Sequence, residues 1–314
     1  MHINIGYRAN SPPFSISFFI FRKNSVTFHQ VVDISFPHSY NYYMLRFLLW
    51  GSTGMKQRVI YYKDELNDEF STAVITPRKI DEYYQYIYPG TWKRFTHFFW
   101  YRIIATPLAY LYLKLYFGHR LVNRKIVIQA RNTGWFLYGN HTHFLADALI
   151  PTMISTPKDM YVIVHPNNVS MPFLGRITPS LGALPLPDDA KATKNFLQAV
   201  ETRIKEKHGV TIYPEAHIWP YYTGIRPFKD TSFRYPIQQK VPVFCFTNTY
   251  QKRKWRKTPR LVTYVDGPFY PDASLKGAAQ REELRNRIYE TMVERSRNNT
   301  VEIIKYIKGE EKDD

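Results

Sequence analysis

The sequence predicts an α/β fold, with a mixed, mostly parallel sheet flanked by helices and preceded by an amphipathic helical segment. Short runs of β-branched and aromatic residues alternate with helix-like stretches from residue 124 onward, as in layered α/β domains. The 314 residues are 44% apolar, which is enough for a sizeable core. Neither an internal repeat nor a glycine-rich nucleotide-binding fingerprint is found. These observations together favour one layered α/β domain.

Strands are expected at short apolar or β-branched runs, namely residues 125–130, 134–138, 161–165, 181–186, 210–213, 241–247 and 261–265. Helices are expected after Asp147, across residues 188–209 and across residues 278–308. The second helix begins with Asp188 and Asp189, whose charges favour a helix N-terminus. In the third, apolar residues at helical spacing continue as far as Ile303, Ile304 and Ile307, which predicts one long amphipathic helix.

The charge and cysteine content restrict the classes of function. A net charge of +17 favours an anionic partner, such as nucleic acid, an acidic membrane face or a phosphorylated substrate. The single cysteine, Cys245, excludes an intramolecular disulfide and any metal site built on several thiolates. A reducing compartment is therefore expected.

The chain is expected to divide into three regions. Residues 1–54 lack a steady hydrophobic period and a complete secretory signal pattern, so we interpret them as an N-terminal extension, with Met55 as a possible start. Residues 55–120 are expected to form a helical region. Residues 121–314 are expected to form the α/β domain with its C-terminal helix.

Residues 98–117 are strongly apolar and aromatic, but Arg102, Lys114 and Pro107 interrupt them. A membrane-spanning helix needs about 20 apolar residues with few charges. We therefore expect a membrane-docking segment that lies in the interface, with Trp and Tyr at headgroup depth. A buried pair of core helices is the alternative. The basic residues at 251–260 add attraction to an anionic bilayer, which predicts peripheral association with its cytoplasmic face.

Two histidines and an aspartate follow the predicted strand 134–138, in the sequence GNHTHFLAD. An imidazole after a strand, with a carboxylate about one helical turn later, is typical of a general base, because the carboxylate orients the ring. His143 lies four residues before Asp147, which makes the two neighbours on a continuous helix. His141 lies six residues before Asp147, in the turn where helical spacing does not apply. Helix geometry alone favours His143, and ordinary loop histidines are the alternative.

A second polar motif follows the predicted strand 210–213. Glu215 comes directly after it, and Arg226 and Lys229 follow in the sequence GIRPFKDTSF. An acid at a strand end, with two cations nearby, suits a polar pocket that receives an anionic group. A solvated loop is the alternative.

Together these motifs resemble the glycerolipid acyltransferases of the lysophosphatidic acid acyltransferase (PlsC-like) type. That family has Asn-His followed by Asp, then a Pro-x-x-Gly-like turn, then Phe-Pro-Glu-Gly-Thr-Arg with Pro-Phe-Lys, and then Val-Pro in a strand. The counterparts here are Asn140-His141 with Asp147, MPFLGR at 171–176, Tyr213-Pro214-Glu215 with Pro227-Phe228-Lys229, and Val241-Pro242. They follow the family's order across residues 124–270.

The sequence also departs from the family pattern. Five residues rather than four separate His141 from Asp147. Ala216-His217-Ile218 replaces Gly-Thr-Arg, so the family's phosphate-binding arginine is missing there, and the second block also lacks its arginine. Arg226, Lys229, Arg176 or Lys191 would have to supply the positive charge.

The resemblance implies transfer of a fatty acyl group from acyl-CoA or acyl-carrier protein to a hydroxyl of a glycerol-phosphate-like or lysophospholipid-like acceptor. Because the family's histidine follows an asparagine, His141 would be the general base and Asp147 its partner. The resemblance and the motifs assign substrate binding to Asn140, His143, Glu215, Arg226 and Lys229. The acyl thioester would be a co-substrate, and neither a cofactor nor a metal is expected.

Two other classes of function remain open. A metal-dependent hydrolase would use the pair His141 and His143, with Asp147, His165 and His217 as further ligands. A non-enzymatic binder of anionic lipid or nucleic acid would use the charge and the aromatic side chains. The cations are scattered outside residues 252–260 and no RNA-binding signature is found, so nucleic acid is not an expected partner.

Overall fold

The structure is a computed structural model that describes residues 58–70, 76–88, 90–172 and 174–309. Its strands are β1 (Arg58–Tyr62), β2 (Arg120–Val122), β3 (Trp135–Gly139), β4 (Met160–Val164), β5 (Ala183–Pro185), β6 (Gly209–Ile212), β7 (Val243–Gln251), β8 (Arg260–Phe269) and β9 (Ile304–Lys308). Its α-helices are α1 (Thr91–Phe98), α2 (Thr106–Phe117), α3 (Lys125–Gln129), α4 (Phe144–Ser155), α5 (Leu174–Ile177), α6 (Ala190–Lys205), α7 (Arg234–Gln239) and α8 (Gly277–Ser296). The predictions for residues 1–54 and for Met55 lie outside the described residues.

Within the described part of the chain, seven strands form one sheet in the order β2-β8-β7-β3-β6-β4-β5. Neighbouring strands are parallel except for the hairpin of β7 and β8, which is antiparallel. The central strands β3 and β7 are buried along nearly their whole length, as expected of strands covered on both faces. The predicted α/β class with a mixed, mostly parallel sheet is therefore confirmed.

Alternate residues of the central strands build the main core on one face of the sheet. Phe136 and Tyr138 of β3 and Val243 and Cys245 of β7 belong to one buried cluster with side chains of α6 and α8. The helical members of this cluster are Phe196, Ala199, Val200, Ile204, Leu284, Ile288 and Met292. Fully burying one large apolar side chain stabilises the fold by about 1.5–3 kcal/mol. This packing fixes the strand ends that carry the polar motifs.

Residues 125–130 contain helix α3, so the strand predicted there is wrong. The β-branched residues Ile126, Val127 and Ile128 favour a strand on propensity alone. In the fold only Val127 is buried, whereas Ile128 is exposed. The N–H groups of Ile126 and Val127 donate to the carbonyls of Asn123 and Arg124, which starts a tight helical turn. One helical turn is enough to bury Val127, and this packing overrides the strand propensity of the segment.

Helix α8 ends at Ser296, so the prediction of one helix across residues 278–308 is also wrong. The side-chain amides of Asn298 and Asn299 donate to the carbonyls of Arg295 and Ser296, which satisfies the end of the helix. The chain then forms β9, which pairs in parallel with β1. The closely spaced isoleucines that suggested a helix belong to this short strand, because a short apolar run fits either structure.

The stretch from α1 to α2, joined by the π-helical residues Phe99–Ala105, exposes many apolar side chains. The exposed fractions range from 39% for Phe99 to 73% for Trp92, and the others are Phe95, Phe98, Ile103, Leu108, Tyr110, Leu111 and Leu115. Pro107 lies in the first turn of α2, where proline is tolerated. Among the described residues, no helix is long and apolar enough to cross a bilayer.

Candidate active site

The two polar motifs leave the sheet at the same edge. Strand β3 ends at Gly139, and residues 140–143 form the turn into α4. The adjacent strand β6 ends at Ile212 and leads to Glu215. Because β3 and β6 are parallel, both turns lie at their carboxyl ends, where sites of α/β proteins collect. A Cβ atom on Gly139 would lie 2.2 Å from the Phe246 ring, so only glycine fits there.

His141 and Asp147 form a hydrogen-bonded pair. Nδ1 of His141 lies 2.9 Å from Oδ2 of Asp147, so the ring donates from Nδ1 and the neutral imidazole carries its lone pair on Nε2. The ring stacks on Tyr213, with the ring centres 4.4 Å apart. The side chain of His141 is 18% exposed and that of Asp147 is 1% exposed. An oriented imidazole with an accessible lone pair is what a general base requires.

The carboxylate of Asp147 is held by three further donors. Its Oδ2 accepts the backbone N–H groups of Thr142 (2.7 Å) and His143 (2.8 Å), and its Oδ1 accepts the side chain of Asn248 (3.1 Å). The turn therefore wraps around the carboxylate. His141 lies outside α4, so the turn and not the helical period sets its distance from Asp147. This geometry accommodates the extra residue between them.

His143 is the N-cap residue of α4. Its Nδ1 accepts the N–H of Ala146 (3.1 Å), and the residue is 2% exposed. Burial lowers the pKa of His143 to about 4, although Asp147 opposes this, so the ring is neutral at pH 7. Phe117 and Tyr221 meet the ring edge to face. Substrate binding by His143 stays a prediction, and the ring that contacts Asp147 is that of His141.

Asn140 joins two strands. Its side-chain amide donates to the carbonyl of Asn248 in β7 (3.1 Å) and accepts the backbone N–H of Asn248 (2.8 Å). Asn140 is 1% exposed, and both of its polar side-chain atoms are engaged. Substrate contact by Asn140 stays a prediction. Asn140 holds the end of β3 against β7 and thereby fixes the turn that carries His141.

Glu215 and Arg226 form a buried ion pair. Nη2 of Arg226 lies 3.3 Å from Oε2 of Glu215, and neither side chain has exposed surface (0%/0%). Glu215 also accepts the backbone N–H groups of His141 (3.2 Å) and Arg226 (3.2 Å). Arg226 donates further to the carbonyls of His217 and Glu65. Burial raises the pKa of Glu215, which Arg226 opposes, and lowers the pKa of Arg226.

The burial of this pair bears on two predictions, the phosphate contact of Arg226 and the substrate contact of Glu215, and both stay predictions. The guanidinium of Arg226 is enclosed and paired with Glu215, so this geometry favours a more exposed cation for the phosphate. Glu215 is likewise enclosed, with 3% of its surface exposed. Through its bond to the backbone of His141, it instead supports the turn that positions the imidazole.

Lys229 has the exposure that Arg226 lacks. Among the described residues, its ammonium group has no ion pair or hydrogen bond. The preceding Phe228 is buried and packs on Phe233, which stacks on Tyr138 of β3. Lys191, another cation considered from the sequence, pairs with Glu82 (3.2 Å). Lys229 therefore remains as the exposed cation of the second motif.

Residues 122–247 match the family model described as Acyltransferase. This segment of the chain is similar to the acyltransferase family. The match contains His141, Asp147 and Glu215, and it confirms the resemblance to an acyltransferase that the motifs predicted. Among solved structures, the chain is similar to the 1-acyl-sn-glycerophosphate (LPA) acyltransferase PlsC from Thermotoga maritima. The identity is 14% over 60% of this chain and 79% of that chain, with a TM-score of 0.43. A comparison with curated proteins finds no match.

Two side chains around the pair of His141 and Asp147 were not predicted, namely Tyr213 against the His141 ring and Asn248 on Asp147. Tyr213 was noted only as part of a motif. Asn248 was missed because the predicted strand ended at Thr247. A signal was present, since Thr247, Asn248 and Thr249 form a polar triplet inside an apolar, buried strand. Buried polar side chains need partners, so such a triplet indicates a hydrogen-bond network.

The hydrolase alternative requires several metal ligands in one place. Nδ1 of His143 caps α4, and Nδ1 of His165 accepts the N–H of Asn167. Nδ1 of His217 lies 3.5 Å from Oε2 of Glu69. Across the part of the chain that the structure describes, no group of three His, Cys, Asp or Glu side chains is arranged to hold a metal ion. The described residues therefore do not bring together the ligand set that this alternative needs.

Proposed function

We propose that this chain transfers a fatty acyl group from an acyl thioester, acyl-CoA or acyl-carrier protein, to a hydroxyl of a phosphate-bearing glycerolipid acceptor. The acceptor class is glycerol-phosphate or a lysophospholipid. The observation that carries the proposal is the His141–Asp147 pair, whose 2.9 Å contact leaves Nε2 of a partly exposed imidazole to accept a proton. The acyltransferase family match supports the same class of reaction.

In the proposed reaction, the acceptor hydroxyl gives its proton to Nε2 of His141 as its oxygen attacks the thioester carbonyl carbon. The carbon–sulfur bond then breaks, and the departing thiolate takes the proton from the imidazolium. Asp147 stabilises the positive charge of the ring between these two transfers. A covalent acyl-enzyme is not required, because holding both substrates together supplies much of the acceleration.

Lys229 is the cation that we assign to the acceptor phosphate. It is exposed and free of protein partners within the described residues, so its ammonium can form a charge-assisted hydrogen bond with a phosphate oxygen. Arg226 contributes indirectly through Glu215, which accepts the backbone N–H of His141. The phosphate contact and the support of the base thus fall to different cations of one motif.

We propose that the enzyme acts while attached peripherally to the cytoplasmic face of a membrane. Exposed apolar side chains on α1 and α2 support this, as does the basic tip of the β7–β8 hairpin, where Trp255 is 86% exposed. Arg253 and Arg256 donate to the carbonyls of Tyr116 (3.1 Å) and Leu115 (2.8 Å), which brings this tip beside the end of α2. Interfacial tryptophan, cations and an apolar helix are typical of peripheral attachment.

The experiment is an acyl-transfer assay with purified protein. The protein is incubated with acyl-CoA or acyl-carrier protein and a panel of lysolipids with and without phosphate, and products are identified by mass spectrometry. We expect a new ester only with phosphate-bearing acceptors. The inactive control is His141→Ala, and a chelator is expected to leave the rate unchanged. Product formation that is equal in His141→Ala, or absent with every thioester, would contradict the proposal.

A further inference from the structure

A chain of buried hydrogen bonds runs from Asp147 across three strands. Nδ2 of Asn248 in β7 donates to Oδ1 of Asp147 (3.1 Å). The hydroxyl of Thr263 in β8 donates to Oδ1 of Asn248 (2.6 Å), and Nε2 of His119, next to β2, lies 2.9 Å from the same hydroxyl oxygen. Strands β7, β8 and β2 are neighbours in the sheet, so the chain extends from the dyad to the sheet edge.

Each bond in this chain has one possible direction. The carboxylate of Asp147 only accepts, so Asn248 must present its NH₂ group to it and its amide oxygen to Thr263. Thr263 then donates its single hydroxyl proton to Asn248, and its oxygen accepts the proton on Nε2 of His119. Burial lowers the pKa of His119 to about 4, so at pH 7 the neutral ring carries that proton on Nε2. All the donors therefore point toward Asp147.

This series of hydrogen bonds is buried from water and held at both ends. Asn248 is 1% exposed, Thr263 is 0% exposed and His119 is 9% exposed. Asn140 holds the backbone of Asn248, and the backbone N–H of His119 donates to Leu113 at the end of α2 (3.0 Å). In such a site a lost partner is not replaced by solvent, so breaking one bond costs more than it would at the surface.

We propose that Asn248, Thr263 and His119 form a positioning relay for the Asp147 carboxylate. None of the three contacts the reacting atoms. Asn248 fixes the rotation of Asp147, Thr263 fixes the direction of the Asn248 amide, and His119 fixes the hydroxyl of Thr263. With Asp147 held, His141 keeps its proton on Nδ1 and its lone pair on Nε2. The relay rests on the proposed function, because it serves the same dyad.

The test is an isosteric substitution at Thr263. Thr263→Val keeps the shape of the side chain and removes the hydroxyl, whereas Thr263→Ser keeps the hydroxyl. Thr247→Val is the matched control, because Thr247 is fully buried in β7 and its hydroxyl has no partner among the described residues. Steady-state acyl transfer to a lysolipid is measured for these full-length variants and the wild type, and thermal melting checks their folding.

We expect Thr263→Val to lower kcat by about tenfold while both KM values stay within about twofold, the effect of losing one bond in a charged network. Thr263→Ser and Thr247→Val should stay within about twofold of the wild type, since neither removes a relay bond. A wild-type kcat in Thr263→Val, or an equal loss in Thr263→Ser, would overturn the relay. If Thr263→Val does not fold, His119→Phe and His119→Gln replace it. A loss confined to the phenylalanine supports the relay, and equal effects contradict it.

A readout that does not depend on activity separates the relay from the proposed function. Nitrogen NMR of isotopically labelled histidine reports which ring nitrogen of His141 carries the proton. We expect the His141 signals to move in Thr263→Val and to stay in place in Thr247→Val. If this is seen in a protein that transfers no acyl group, the relay stands and the proposed function fails. Unchanged His141 signals in Thr263→Val would overturn the relay whatever the activity.

Discussion

Two carboxylates at the same edge of the sheet are each paired with a nitrogen-containing side chain. The two pairs differ in how much side-chain surface they leave exposed. Asp147 is buried, but its partner His141 keeps 18% of its side chain exposed. Glu215 and Arg226 have no exposed side-chain surface at all. The first pair has ring surface that a substrate can approach, whereas the second pair has none in this structure. Exposure thus separates the pair that we propose for the chemistry from the pair that we propose as its support, although both come from family motifs.

The largest expected effect is the loss of the base. His141→Ala should lower kcat by roughly a thousandfold or more, because the proposed reaction gives the hydroxyl proton to this imidazole. His143→Asn is the control, since asparagine also caps a helix N-terminus, and its kcat should stay within about threefold of the wild type. Steady-state kinetics measure both. An inactive His143→Asn beside an active His141→Ala would mean that the base is the other histidine.

The next largest effect tests the buried ion pair of Glu215 and Arg226. Arg226→Ala leaves the Glu215 charge buried without its partner, so the free energy of unfolding should fall by about 3–5 kcal/mol. Urea denaturation measures this change. Lys229→Ala is the control and should leave stability unchanged, because the lysine is exposed. Wild-type stability in Arg226→Ala, together with a selective rise in the acceptor KM, would restore the phosphate-binding role that the sequence suggested.

The burial of His143 predicts a dependence of stability on pH. Its pKa is lowered from 6.5 to about 4 in the folded state, so the unfolded chain binds more protons between these values. The stability contribution is therefore complete above pH 6.5 and is lost as the pH falls toward 4, by about 3 kcal/mol. His119 acts in the same direction. Urea denaturation at several pH values in this range measures the free energy of unfolding as a function of pH. This free energy should change less with pH in His143→Asn than in the wild type, and an identical pH dependence would contradict the account.

A smaller effect is expected at the exposed cation. Lys229→Ala should raise the acceptor KM roughly tenfold, the effect of losing one charge-assisted hydrogen bond. The donor KM should change by less than about twofold, because the thioester does not use this contact. Lys191→Ala is the control, since Lys191 already pairs with Glu82. Equal rises in both KM values would point to a general disturbance of the site.

The sequence predicts local features of the site well and long-range ones poorly. The apolar run of β3, Gly139 and the following turn with His141 were predicted because neighbouring residues specify them. The burial of Arg226 was not, because it depends on the carbonyl of Glu65, 161 residues away. The bond between Asn140 and Asn248 spans 108 residues. These contacts form only when the strands pair.

The same reason explains the two secondary-structure errors. Helix α3 and strand β9 are short segments whose apolar residues fit a helix or a strand equally well. Strand β9 forms because β1, more than two hundred residues earlier, offers it an edge to pair with. Helix α3 forms because the fold buries only Val127 of its β-branched run. In both segments, tertiary contacts decide between helix and strand.

The most direct test of the difference between the two pairs is the same isosteric change in each carboxylate. The kcat of Asp147→Asn and of Glu215→Gln is measured at a temperature at which both proteins are folded. We expect Asp147→Asn to lower kcat by roughly a thousandfold or more, because the imidazole loses its orientation and its counter-charge. Glu215→Gln should retain kcat within about tenfold, with its main loss in stability. Equal losses of kcat, or the larger loss in Glu215→Gln, would contradict the division of roles between the two pairs.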